Sequence, residues 1–152
     1  MGAIQPSRIA PIAAIADIAP AAPRVCPTID FGDEIDYIVA HGTATPLNDA
    51  TETRAIKAAY GAHAKKVAIS SPKSMIGHLV GAAGIASALA GLGAIRDQVI
   101  PPTINLHSPD PDCDLDYVPN VKREARIETV AIDGFGFGGQ NAVAIFRRIT
   151  DV

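Results

Sequence analysis

Val67-Ala-Ile-Ser-Ser-Pro-Lys-Ser-Met-Ile-Gly-His-Leu-Val-Gly-Ala-Ala-Gly-Ile-Ala-Ser-Ala-Leu-Ala-Gly-Leu-Gly-Ala-Ile95 is the stretch on which the fold turns. It opens with a β-rich run, bends at Ser71-Pro72 and sets Lys73 and His78 five residues apart. From Ser74 to Ile95 it carries no charge unless His78 is protonated. A helix apolar on nearly every face belongs in a large core or in a membrane. His78 is then expected in the first turn of a buried helix, beside a lysine. A membrane span is disfavoured, even though Gly77 and Gly81 form a G-x-x-x-G pair. Gly and Ala dominate where Leu would drive insertion, and polar His78 and Ser87 lie inside the segment. The expectation is a core helix.

Upstream, Ile35-Asp-Tyr-Ile-Val-Ala40 is rich in β-formers and reads as a buried strand ending at His41. Gly42-Thr-Ala-Thr-Pro-Leu-Asn48 reads as a loop. Asp49 and Glu52 then form a capping-box-like helix start, Ile56, Ala59 and Tyr60 give one apolar stripe, and Gly61 is a stop. Val67–Ser70 is a second strand. Strand, helix, strand, helix in that order argues for parallel strands with helical crossovers.

Downstream, Val99-Ile-Pro-Pro-Thr-Ile-Asn105 is an edge segment, since paired prolines cannot serve a central ladder. His107–Asp116 is a polar loop. Thr129–Ile132 and Ala142–Phe146 read as strands joined by Gly134-Phe-Gly-Phe-Gly-Gly139. Those glycines satisfy G-x-G-x-x-G, yet a β-like run follows where a dinucleotide fingerprint needs a helix. The run is better read as a tight turn presenting backbone N–H groups, the raw material of an oxyanion hole.

Composition bounds the function. The 152 residues are 48% hydrophobic and 19% charged, in keeping with one α/β domain and too apolar for disorder. A net charge of −3 without a basic stripe, and no Trp, argues against nucleic acid. Two distant cysteines, Cys26 and Cys113, fit reduced thiols and a cytoplasmic location. His63 and His107 match no motif and read as surface groups. No histidine pair has metal-ligand spacing, so no metal is expected. Residues 1–33 are low in complexity and broken by prolines. Arg8 before Ala14-Ile15-Ala16 faintly resembles a signal peptide, but the apolar run is short and holds a proline. A partly disordered leader over 1–33 and one domain over 34–152 is the expected organisation.

His41-Gly-Thr-Ala-Thr-Pro-Leu-Asn-Asp49, Lys73-Ser-Met-Ile-Gly-His78 and Gly134-Phe-Gly-Phe-Gly-Gly-Gln-Asn-Ala142 together resemble the three signature loops of the β-ketoacyl-ACP synthases of the elongating type. The resemblance runs from about Glu34 to Arg148. It implies a thiolase-like α/β fold, of which this chain is similar to the C-terminal half: a mixed sheet with a buried central helix. It also implies a partner half carrying the nucleophilic cysteine, and acyl carrier protein (ACP) bringing substrates on its phosphopantetheine arm. No further cofactor is implied. By resemblance, His41 and His78 stabilise the enolate formed when malonyl-ACP loses carbon dioxide, and Lys73 organises their electrostatics. Thr43 and Thr45 would bond the pantetheine arm. Phe137 would supply an oxyanion-hole N–H and gate the nucleophile, with Gly136 and Gly138 of the same turn binding substrate.

This sequence departs from the family pattern in places. A Glu is common nine residues beyond the second histidine, where Ser87 stands, which leaves Lys73 without that partner. Asp133-Gly134 replaces Asn-Ser, and Gln140 replaces Thr. Neither Cys26, between Val25 and Pro27, nor Cys113 has the setting of an exposed thiolate at a helix N-terminus. Two readings follow: part of a condensing enzyme that is inactive alone, or a non-catalytic binding, scaffolding or truncated product.

Overall fold

Tyr37-Ile-Val39 forms β1, and all three residues are buried. A strand covered on both faces has to be central, with parallel neighbours and helices packed above and below. In the computed structural model, which describes residues 32–149, β1 lies between β2 (Ala68–Ser70) and β5 (Thr129–Gly136), parallel to both. β6 (Gln140–Arg147) returns antiparallel to β5, giving a mixed sheet of order β2-β1-β5-β6. The family-implied α/β architecture is therefore present. The expected leader lies outside the described residues apart from its last two positions, and so does Cys26.

One face of the sheet presents Ile38, Ile69, Ala131 and Val143 to Ile56 of α1 (Asn48–Tyr60). The other presents Tyr37, Val39, Val130 and Ile132 to α3 (Ala83–Asp97). Gly91 sets the closeness of that second contact. A Cβ there would stand 3.1 Å from Val130 Cγ1 and 3.2 Å from Ile132 Cδ1.

The expected continuous helix over Ser74–Ile95 is broken. A single turn, α2 (Lys73–Ile76), stops at Gly77 with φ 78°, and a 3₁₀ turn over Val80–Ala82 precedes α3. Gly77 adopts the left-handed backbone that glycine tolerates, and Val80 follows at φ 49°. α3 is also not enclosed. Ser87, Gly91 and Ala94 are buried, while Ile85 and Leu89 remain 63% and 65% exposed. Uniform apolarity hid which face meets the sheet. Among the described residues no helix is long and apolar enough to cross a membrane.

Other expectations are adjusted in detail. Asp49 does not cap α1, whose start has no side-chain cap at Leu47. Thr45 Oγ1 instead accepts from Asn48 N–H at 3.4 Å. Ala59 is exposed, and α1 buries Glu52, Thr53 and Ile56. Only Val99–Ile100 of the proline-rich segment is a strand, β3, paired antiparallel with β4 (Arg123–Glu124). His63 is no bare surface group, since its Nε2 lies 2.8 Å from the Ile35 carbonyl oxygen.

Candidate active site

β1, β2 and β5 are parallel, so their C-terminal ends emerge at one edge of the sheet. Open α/β sheets present ligands at that edge. β1 leads into His41, β2 into Ser71-Pro72-Lys73, and β5 carries Asp133 to Phe135 along the same rim. Three segments far apart in sequence are thereby gathered by strand direction alone.

The rings of His41 and His78 meet edge to face with centroids 5.7 Å apart. Phe135 N–H donates to His41 Nδ1 at 3.2 Å, and Val80 N–H donates to His78 Nδ1 at 3.0 Å. A backbone N–H can only donate, so both Nδ1 atoms are acceptors and the neutral rings carry their proton on Nε2. Burial, then the positive charge of Lys73, pushes His41 down to about 4, against a smaller opposing effect of Asp49. His41 is therefore a neutral N–H donor at pH 7. His78 is exposed, in the break between α2 and α3 rather than in the first turn of a buried helix.

Lys73 opens α2 and is partly buried. Burial lowers its pKa, and the Glu52 carboxylate opposes that. Ser87, the position where a partner Glu was lacking, is itself buried on the face of α3 that meets the sheet. Glu52 supplies negative charge from α1 instead.

Glu52 is the site residue that sequence reading missed, having been placed in a capping box. Its oxygens accept from His41 N–H at 2.7 Å, Gly42 N–H at 2.9 Å and Asn48 Nδ2 at 3.1 Å. It thus fixes the backbone on which His41 is mounted. The signal available was a carboxylate on the helix that directly follows His41, but which way it points depends on tertiary packing. Gly42 locks the same loop to the second one. Ser71 Oγ donates to the Gly42 carbonyl at 2.9 Å, and a Cβ on Gly42 would lie 2.6 Å from Ser71 Cβ. No side chain fits there, and the φ of 42° is equally a glycine conformation.

Thr43 and Thr45 lie in the connecting loop with their hydroxyls 3.1 Å apart. The β5–β6 hairpin turns through Phe137-Gly138-Gly139, with φ of 83° and 78° at the two glycines. Phe137 is fully exposed at that tip, beside exposed Gly136 and Gly138. The structure thus joins His41, His78 and the Phe135 amide directly and leaves Phe137 on an open rim. Cys113 is partly buried, and burial, opposed by a hydrogen bond to Thr53, pushes its thiol up.

Residues 13–107 match the model of the family described as β-ketoacyl synthase, C-terminal domain. The chain is 53% identical over 119 residues to a 3-oxoacyl-[acyl-carrier-protein] synthase 2 of Coxiella burnetii, covering 78% of this chain and 29% of that protein. It is 52% identical over 117 residues to the ketoacyl synthase alpha subunit of the tetracenomycin polyketide synthase of Streptomyces glaucescens, covering 77% and 28%. A solved ketosynthase in complex with its type II polyketide acyl-carrier protein superposes with a TM-score of 0.76 at 41% identity, covering 78% and 29%. A β-ketoacyl synthase from Burkholderia phymatum superposes at 0.73 with 37% identity, covering 78% and 28%. The chain thus spans less than a third of the length of these relatives.

Proposed function

Because the chain belongs to the β-ketoacyl synthase family and carries that family's C-terminal domain, we propose that it supplies the decarboxylating part of a condensing site in fatty-acid or polyketide synthesis. The observation that carries this reading is the pair of histidines whose Nδ1 atoms both accept from backbone amides. Each ring then offers Nε2–H to a developing negative charge, and burial with Lys73 keeps His41 neutral.

In the proposed reaction malonyl-ACP loses its carboxylate as carbon dioxide. The electron pair of the broken C–C bond moves onto the thioester carbonyl oxygen, which the two Nε2–H groups stabilise. The resulting carbanion attacks an acyl thioester and expels the cysteine thiolate that carried it. That cysteine belongs to the N-terminal part of the enzyme. Burial first, and then the charges of Asp110, Asp49 and Asp112, raise the Cys113 thiol, the opposite of an activated nucleophile. Thr43 and Thr45 would receive the pantetheine arm, and Phe137 with Gly136 and Gly138 would border the acyl thioester. ACP is the proposed carrier, no metal or organic cofactor is needed, and the reaction is placed in the cytoplasm.

The same want of an activated thiol among the described residues suits a non-catalytic binding or scaffolding subunit, and one experiment separates the two readings. The chain is assayed for malonyl-ACP decarboxylation alone and combined with a cysteine-bearing N-terminal half. The expected result is no condensation alone and activity on combination. His41→Ala and His78→Ala should each lower decarboxylation by roughly 100-fold or more, the scale of losing one preorganised donor. Lys73→Ala should cost less. Wild-type rates in a His78→Ala complex would overturn the catalytic reading, as would condensation by the chain alone after Cys26→Ala and Cys113→Ala.

A further inference from the structure

Two carboxyl groups are buried between α1 and the sheet, and the site uses only one of them. Burial raises the pKa of Glu52, but three donors, from His41, Gly42 and Asn48, oppose that and favour its charged form. Asp133 is equally buried, 4% exposed, on β5 opposite Val143. It lies two residues before Phe135, whose N–H ties the hairpin to His41 Nδ1.

Among the described residues the groups around Asp133 supply no cation. From α1 come Glu52 and Tyr60, and Tyr60 is itself raised by burial and by Asp133. From the end of β1 comes His41, neutral at pH 7. From β6 the same face presents Asn141 and Val143, and Asn141 Nδ2 is buried without a hydrogen-bond partner among the described residues. No ion pair to Asp133 occurs among the described residues either. Two neighbouring carboxyls out of reach of water cannot both ionise cheaply, and the one with three donors takes the charge.

We propose that Asp133 is a positioning residue that remains an uncharged carboxylic acid at neutral pH, and that the β5–β6 hairpin reaches His41 only while that proton is in place. Burial and the charge of Glu52 both act in this direction. Ionising Asp133 would set a second negative charge beside Glu52 in the buried layer between α1 and the sheet. Relief comes from moving β5 away, which breaks Phe135 N–H···Nδ1 and frees the His41 tautomer. The proposal rests on reading His41 as a site histidine, but its test needs no turnover.

The test is NMR of the full chain labelled with ¹³C and ¹⁵N, with the cysteine-bearing half added if solubility requires it. It follows the Asp133 carboxyl carbon and the His41 ring nitrogens from pH 5 to pH 10. Asp133 is expected to stay protonated at pH 7, well above the pH at which an ordinary carboxyl ionises. His41 should keep Nδ1 as acceptor until Asp133 titrates, and lose it in the same pH step. Asp133→Asn, uncharged and of the same shape, should keep that tautomer to pH 10. An ionised Asp133 at pH 6 would overturn the proposal, and the wild-type titration alone decides this if the variant fails to fold. A His41 tautomer indifferent to Asp133 titration would overturn it equally. Loss of decarboxylation activity with both signals intact would sink the catalytic reading and leave this one standing.

Discussion

At the residue scale the chemistry of the site depends on what backbone amides do to imidazoles. An Nδ1 occupied by a donated N–H leaves one orientation for the proton, so His41 is specified before any ligand arrives. Its low pKa also couples the site to folding. Between the unfolded value near 6.5 and the folded value of about 4, the unfolded chain binds more protons than the native one. Stability contributed by neutral His41 is therefore full above about pH 6.5 and is lost as pH falls towards 4. His41→Gln should flatten that acid limb in urea unfolding followed from pH 7 to pH 4. An unchanged limb would show that His41 titrates normally. Asp133 acts with the opposite sign. Its raised pKa contributes stability that is full below the ordinary carboxyl value of 3.8 and is lost as pH rises from there through its folded titration, so it offsets part of the His41 gain.

At the scale of single elements, α3 shows how two glycines in one helix serve different ends. Gly91 lies against Val130 and Ile132, whereas nothing lies within 4 Å of a Cβ built on Gly93. Gly93→Ala should stabilise the chain by about 1 kcal/mol, because the helix gains propensity without a steric cost. Gly91→Val should destabilise it by about 2 kcal/mol or more, since Val130 Cγ1 cannot swing away and the helix must lift from the sheet. Equilibrium urea unfolding of both variants checks the pair, and equal effects would mean that α3 does not pack through Gly91. The break before α3 follows the same logic of backbone conformation. Gly77 turns the chain, and Val80 accepts a left-handed φ that a β-branched residue resists, so that its N–H folds back onto His78.

At the scale of the whole molecule the apolar side of α3 is open. Ile85 and Leu89 are about two-thirds exposed, and Leu92, Leu79 and Val80 continue the patch towards His78. At roughly 25 cal/mol per Å², leaving about 400 Å² of such surface in water forgoes on the order of 10 kcal/mol, comparable to the stability of a domain. The chain on its own should bind a hydrophobic dye and self-associate, and adding the cysteine-bearing half should suppress both. Leu89→Glu should reduce dye binding while abolishing that association. A dye-silent monomer at all concentrations would show that these residues close their own core.

What the sequence determined by itself was local and chemical. Three loops of fixed composition named the family, His41, Lys73 and His78 were legible as residues, and Gly61 and the hairpin glycines marked their turns. Strands β1 and β2 were visible because buried parallel strands are written as continuous apolar runs. Tertiary structure decided everything that depends on direction. A run of Gly, Ala and Ile has no polar stripe to orient it, so the covered face of α3 emerged only when Gly91 met Val130. Glu52 fits a capping box as well as it fits a clamp on His41. The choice was made by where β1 ends relative to α1, because a buried carboxylate goes to the unpaired backbone amides within its reach.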